Sequence, residues 1–385
     1  MTRVVRPALL VITLAFIHGC VTTPQQKPPP VITPPKVLYE PSAWSKVDGW
    51  QADQVQDAWE AFRKSCRAIG ARPAWSGVCA ASSAATNPRQ FFESNFTPHR
   101  IVQTAGLHEV VDTGLITGYY EPLLRGSRKP STAFPVPLFA PPDDLLTVDL
   151  GELFPELKGK RVRGRVEGKK VVPYYTRGEI SGKPALKGKE LLWVDNAVDA
   201  FFLEVQGSGR VQLTDGSVVR MAYADQNGQP YRSIGRYLVD QGQMTLDQAS
   251  AQSIRRWVEL NPQREQEVLN ANPSVVFFRE EKIDNPAEGP KGALGVPLTA
   301  GRSLAVDPQF VPLGTPVFLS TTQPNSGAPL KRLVMAQDTG GAIRGINRGD
   351  FFWGFGPAAG ESAGRMKQQG RMWMLWPKGV PLPIQ

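Results

Sequence analysis

The stretch Val334-Met335-Ala336-Gln337-Asp338-Thr339-Gly340-Gly341-Ala342-Ile343, followed by Arg348-Gly349-Asp350-Phe351-Phe352-Trp353-Gly354-Phe355-Gly356, is the most distinctive in the chain. An apolar run ends on Asp338, and the two glycines after it let the backbone turn tightly and approach a ligand. Asp350 lies twelve residues on and is followed by three aromatics. Carboxylates beside aromatic rings suit a sugar-cleaving site. Aromatic faces stack on pyranose rings, and apolar surroundings raise a carboxyl pKa so that the group stays protonated and serves as an acid. Upstream, Val306-Asp307-Pro308-Gln309-Phe310-Val311-Pro312-Leu313-Gly314 places a third aspartate at a strand-turn junction. A lone Asp before Gly is ordinarily a turn or cap residue. Three such aspartates within 307–350, one inside an aromatic run, shift the balance toward chemistry without naming a substrate.

Working outward, Leu115–Tyr120, Leu191–Val194, Ala200–Gln206, Val275–Phe278, Val317–Leu319, Leu333–Ala336 and Met372–Trp376 are short apolar runs between Gly, Pro or Asp breakers, and read as strands. Trp50, Val55, Trp59, Phe62 and Cys66 fall at spacings near three and four, which predicts an amphipathic helix between Gly49 and Gly70. Asn87-Pro88 looks like a cap with proline in the first helical position. A second helical region runs from Ser233 to about Leu269. Many strands with segregated helices make a mainly β, α+β protein that contains a barrel. No internal repeat of fixed period is present.

The N-terminus differs from the rest. Arg3 and Arg6 precede an apolar run, Ala8–Ile17, of signal-peptide length and too short to span a bilayer. The run ends at Ile17-His18-Gly19-Cys20, which resembles the lipobox of bacterial lipoproteins and makes Cys20 the expected lipidation site. Residues 21–39 follow as a proline-rich tether, unable to pack. Cys66 and Cys79 remain in the body, where export permits a disulfide, although thirteen-residue spacing does not show that the thiols meet. With so few histidines and this cysteine placement, neither a metal site nor a cofactor is expected. The formal charge is +9, of which Arg3 and Arg6 supply two. The basic residues are scattered and the chain reads as exported, so anionic wall polymers or membranes are expected partners and nucleic acid is not.

The three aspartates in their contexts resemble the C-terminal "3D" domain of the membrane-bound lytic murein transglycosylase A (MltA) family. Gly118-Tyr119-Tyr120-Glu121-Pro122, Glu204-Val205-Gln206-Gly207-Ser208-Gly209, Tyr231-Arg232-Ser233-Ile234-Gly235 and Asn272-Pro273-Ser274-Val275-Val276-Phe277-Phe278 resemble further family motifs, in family order, over roughly residues 110–376. The resemblance implies a double-psi β-barrel domain with a second, smaller β domain inserted in it and a glycan groove between them. Mapped here, the barrel uses 40–122 and 281–385, with the 3D motif at about 300–376, and the insert is 123–280.

By that mapping Asp350 matches the catalytic aspartate and Asp338 a supporting one. Gln206, Gly207, Ser208 and Gly209 line the groove from the insert. Tyr119, Tyr120, Glu121, Asp307, Gly340, Gly341 and Trp353 are expected to bind substrate. The implied reaction cleaves the β-1,4 bond between N-acetylmuramic acid and N-acetylglucosamine and leaves a 1,6-anhydromuramoyl end. Peptidoglycan strands and a membrane lipid anchor are the implied partners, with cell-wall synthesis or division proteins as further candidates. Val21, where lipoproteins retained in the inner membrane carry Asp, points to the outer membrane, facing the periplasm.

Two rival readings stand beside this one. Asp112-Thr113-Gly114 and Asp338-Thr339-Gly340 are paired Asp-Thr-Gly triplets, as in aspartic proteases, whose two carboxylates share a proton. Leu115 and Gly341 follow them, where those proteases usually carry Ser or Thr. The other is a non-catalytic lipoprotein that binds peptidoglycan.

Overall fold

The computed structural model describes residues 36–105, 109–157, 162–180, 182–324 and 326–383. Cys20, the signal-like segment and the tether up to residue 35 lie outside the described residues. The tether expected to reach residue 39 stops sooner. Lys36–Pro41 is a strand, paired antiparallel along its length with Phe96–Ala105, and it buries Val37.

Six strands close into a barrel. Gly114–Glu121 pairs in parallel with Gly349–Phe355, which pairs antiparallel with Ser303–Val306. That short strand lies parallel to Pro329–Asp338, and Pro316–Thr322 then links it to Lys367–Pro377. Lys367–Gly370 returns to Gly114–Thr117 and closes the ring. The C-terminal half of that last strand also carries Phe96–Ala105, so the sheet runs past the ring.

The chain leaves the barrel after Glu121 and builds a second sheet of six strands, in the spatial order Val276–Glu281, Val218–Gln226, Ser208–Leu213, Leu123–Ser127, Glu190–Val194 and Val136–Phe139. A separate three-stranded sheet comprises Leu146–Val148, Val162–Glu167 and Lys170–Pro173.

Helices Trp59–Ile69, Pro73–Ala81 and Pro88–Asn95 cover one side of the barrel. Trp50, Phe62, Phe92, Phe96 and Phe318 form a fully buried aromatic core there. The helix read from Gly49 begins only at Trp59; Trp50–Ala52 and Val55–Ala58 are single 3₁₀ turns. Asp53, between those turns, is buried and accepts from Arg302 at 2.9 Å and from the Leu333 backbone N–H at 2.8 Å, so the segment is shaped by a barrel cation. The Asn87 cap is as read: its side chain accepts from Gln90 N–H at 3.2 Å. Cys66 and Cys79 are disulfide-bonded, joining the first two helices.

Ala200–Gln206, read as a strand, is the C-terminal part of a helix, Ala197–Gln206. Asn196 caps it by accepting from Val198 and Asp199 N–H, and Gly207, at φ 76°, ends it. The segment is apolar on two sides because Ala200 and Leu203 pack on the insert sheet while Val198 and Phe201 pack on the neighbouring helices. A helix buried on both faces loses its amphipathic period, and a short apolar run then reads equally as a strand.

Candidate active site

Asp338 ends one barrel strand and Asp350 begins another, with Ser303–Val306 between them. Ala305 is the register partner of both: Asp338 on its parallel side, Asp350 on its antiparallel side. Two strand spacings put their backbones roughly 10 Å apart. Alternation then sorts the side chains. Phe351 belongs to the main core, whereas Phe352 joins Tyr119, Ala305, Leu298 and Ile343 in a separate small apolar cluster on the face that Asp350 shares.

Asp350 is also the register partner of Thr117. The Thr117 hydroxyl donates to Asp350 Oδ1 at 2.5 Å and accepts from Arg348 Nη2 at 2.8 Å. A hydroxyl has one proton to give. Because the guanidinium can only donate, that proton goes to Oδ1, which leaves Oδ2 as the oxygen able to carry a transferable proton. Burial pushes the Asp350 carboxyl up to about 6, and the nearby Asp338 charge adds to the rise, against the Thr117 hydrogen bond and the Arg348 charge. Arg348 also donates to the Leu115 and Gly349 carbonyls, which holds it along the strand ends.

Asp338 is held differently. Its Oδ1 accepts from the backbone N–H of Ala293 and of Thr339, both at 2.9 Å, and its Oδ2 accepts from the Tyr119 hydroxyl at 3.1 Å. The Tyr119 phenol is pushed well above its ordinary pKa by burial and by the two aspartates, so it remains a donor. The preceding Gln337 is fully buried; it accepts from Ser303 Oγ at 2.6 Å and donates to the Ala61 carbonyl at 2.8 Å. That pins the end of the Asp338 strand to the helical layer. After Asp338, Gly340 is partly exposed and Gly341 lies in open space.

Several expected contact residues are elsewhere. Trp353 shares the face of Phe351, rings 5.0 Å apart, and its indole N–H points at Met366 sulfur, so strand alternation turns it away from Asp350. Tyr120 points away from Tyr119 into a cleft of about 600 Å³ between the barrel and the insert helices, together with Gln206, Phe202, Arg255 and Gly360. Gln206 accepts there from Tyr120 N–H at 3.0 Å. Gly207 is the helix terminator, Ser208 is buried, and Gly209 is packed against Leu203 and Pro122 with no room for a Cβ. Tyr119 and Tyr120 therefore stand on opposite faces of one strand, the first beside Asp338 and the second in the cleft.

Glu121 is also corrected. It is 1% exposed and forms a buried triad with Arg210 and Arg220 at 2.8 and 2.5 Å, while both guanidiniums also reach the Glu288 carbonyl. The triad couples the end of a barrel strand to the insert sheet and leaves no carboxylate oxygen for a substrate. Asp307 is 4% exposed, and its oxygens accept from Gln309 and Gly345 N–H, so it fixes the loop after Asp338 instead of lining a surface. The protease pairing fails too. Asp112 is bound to Arg100 and Arg371 beside Gly114, whereas Tyr119, which meets Asp338, lies five residues along the strand, about 16 Å at ~3.3 Å per residue.

Thr117, Arg348, Gln337 and Ala305 are the site residues that sequence reasoning missed. Among the described residues there is no cluster of His, Cys, Asp or Glu fit to hold a metal.

The MltA-specific insert domain model matches residues 115–279 and the 3D domain model residues 302–376. The crystal structure of MltA from Neisseria gonorrhoeae, in its monoclinic form, is 37% identical, with 90% of this chain and 94% of that chain covered and a TM-score of 0.77. The chain belongs to the MltA family. A membrane-bound lytic murein transglycosylase A from Vibrio cholerae is 34% identical to this MltA-family chain over 274 residues, 69% of this chain and 66% of the relative, just under two thirds of its length. The Escherichia coli MltA crystal structure with bound chitohexaose is 26% identical and covers 90% of this chain and 95% of that chain, with a TM-score of 0.65.

Proposed function

We propose that the chain is a lytic murein transglycosylase that cleaves the β-1,4 bond between N-acetylmuramic acid and N-acetylglucosamine, with Asp350 as its acid and base. The observation that carries this reading is Asp350 itself: a carboxyl raised to about 6, with one oxygen fixed by Thr117 and the other left for proton transfer. Family membership and the chitohexaose held by the Escherichia coli relative support an amino-sugar polymer as ligand.

Protonated Oδ2 of Asp350 donates its proton to the glycosidic oxygen as the bond to muramoyl C1 breaks, and the N-acetylglucosamine end leaves as an alcohol. The resulting carboxylate takes the proton from the muramoyl C6 hydroxyl, whose oxygen closes on C1 as the 1,6-anhydro ring. No water enters and the carboxyl ends protonated, as it began. Intramolecular attack gains from high effective molarity. Asp338, fixed by Tyr119 and two backbone donors, raises the Asp350 pKa and so supports its acid form. The barrel as catalytic domain, 123–280 as insert, acylation at Cys20 and an outer-membrane, periplasm-facing location belong to the same proposal; relatives carrying the words "membrane-bound" support a membrane association.

Mass spectrometry of the soluble products from purified peptidoglycan tests it. Fragments ending in 1,6-anhydromuramic acid are expected. Reducing muramoyl ends would mean hydrolysis, and protein bound to the sacculus without product would mean a binding lipoprotein.

A further inference from the structure

The three-stranded sheet of the insert has two unlike faces. Val162, Gly164 and Val166 alternate with Arg163 and Arg165 along the middle strand. Arg163 is salt-bridged to Asp225 at 2.9 Å, and the Arg165 guanidinium lies 4.2 Å from the centre of the Tyr175 ring, so that face is held against the body. On the opposite face, register pairs Val166 with Val171, Val148 with Val162, and Leu146 and Pro173 with Gly164. That face is apolar and its outer end lies in solvent: Val166 is 62% and Val171 58% exposed, while Leu146, Val148 and Val162 are half-buried and Gly164 is buried. The loop leaving Val148 adds Leu153 at 68% and Phe154 at 47%. Val166 and Val171 are direct cross-strand neighbours, so their exposed side chains make one apolar patch. The hairpin tip between Val166 and Val171 carries exposed Lys169 and Lys170, and the chain entering the middle strand carries Lys158, Lys160 and Arg161 in sequence.

We propose that this apolar sheet face is a membrane-contact surface that lies on an anionic phospholipid bilayer, with the lysines at the hairpin tip against the headgroups. Apolar side chains flanked by exposed Lys169 and Lys170 match an interface of acyl chains and anionic lipid; of the acidic neighbours, Glu167 is paired with Arg165 at 3.3 Å, and Asp149 and Glu152 lie in the loop after Val148. A polar wall glycan would use the lysines and leave the valines unsatisfied. The proximity comes from the expected anchor: fifteen residues from Val21 to Pro35 reach no further than about 50 Å when fully extended. One acyl anchor with a second, weaker surface contact fixes orientation as the tether alone does not.

The test is lipid-bromine quenching. Full-length chain with Val171→Cys bears an environment-sensitive dye and is mixed with phosphatidylethanolamine–phosphatidylglycerol vesicles brominated in the acyl chains. The expected result is sedimentation with the vesicles, quenching at position 171, and none from the same dye at Ser83→Cys, an exposed site beyond the second helix. With the dye moved to Leu153→Cys, Val166→Glu with Val171→Glu weakens quenching about tenfold or more, the scale of losing a buried valine. Equal quenching at 171 and 83, vesicle-bound protein with position 171 unquenched, or failure to sediment overturns the proposal. So does a dye shift that appears without lipid and grows with protein concentration, which would assign the face to a second copy of the chain. Activity on peptidoglycan enters none of these readouts, so failure of the proposed reaction would not be mistaken for failure of the surface.

Discussion

Asp350 and Glu121 are carboxylates on two paired strands of one barrel, the first half-buried and the second fully buried, and they differ in what surrounds them. Glu121 meets two guanidiniums directly and is locked into an ionic joint between barrel and insert. Asp350 meets a hydroxyl, has its one guanidinium at second hand through Thr117, and has a second aspartate nearby. Burial alone therefore does not make an acid. The number and closeness of compensating cations decides whether a buried carboxyl serves as a fixed ion or as a proton donor near neutral pH.

The comparison can be broken in several places. Asp350→Asn removes the proton that the reaction needs and nothing that holds the fold. Turnover should fall about 10³-fold or more, with unchanged circular dichroism; surviving release of anhydromuramoyl products would sink the assignment. Glu121→Gln leaves two buried guanidiniums facing each other without their counter-ion. It should cost roughly 3–5 kcal/mol of stability, read from denaturant melts at neutral pH, and an unchanged midpoint would show that the triad is not a joint.

Asp350→Asn also has a stability signature of the opposite sign. The folded-state pKa is raised from 3.8 to about 6, so the native state binds more protons than the unfolded chain between those values. Stability from this group is complete below pH 4 and is lost as pH rises through 6. The asparagine variant should therefore gain up to about 3 kcal/mol over the parent above pH 7, and the two should converge below pH 4. Parallel curves across that range would place Asp350 in an ordinary solvated setting.

Smaller effects sharpen the picture. Tyr119→Phe removes the hydroxyl donor to Asp338 and should lower kcat about tenfold, the value of a hydrogen bond to a charged group, with KM little changed. Activity is expected to fall above pH 6 as Asp350 ionises, and Arg348→Met should move that limb to higher pH, because the lost positive charge had favoured the carboxylate. A limb that stays put would mean that Arg348 acts on the strand ends alone.

Much of the protein is legible in its sequence alone. The Asp338-Thr339-Gly340-Gly341 turn, the aromatic run after Asp350 and the ordered motifs named the family, because short strands bounded by glycine and proline leave their breakers in the sequence. The Asn87 cap was equally plain, since a cap is local chemistry between residues three apart. What sequence could not give was pairing. Thr117 and Asp350 are 233 positions apart and meet only because their strands run parallel in one register. The same register, with a period of two, sends Tyr119 to the aspartates and Tyr120 to the far cleft, although they are neighbours in one motif, and turns Trp353 away, although it follows Asp350 by three residues. Glu121 and Asp307 looked available because a carboxylate's partners are invisible in a string; the fold spends one on two arginines and the other on backbone N–H groups. Composition and local motif thus determined which chemistry the chain carries. Only tertiary structure, through strand order and side-chain alternation, decided which carboxyl is left free to do it.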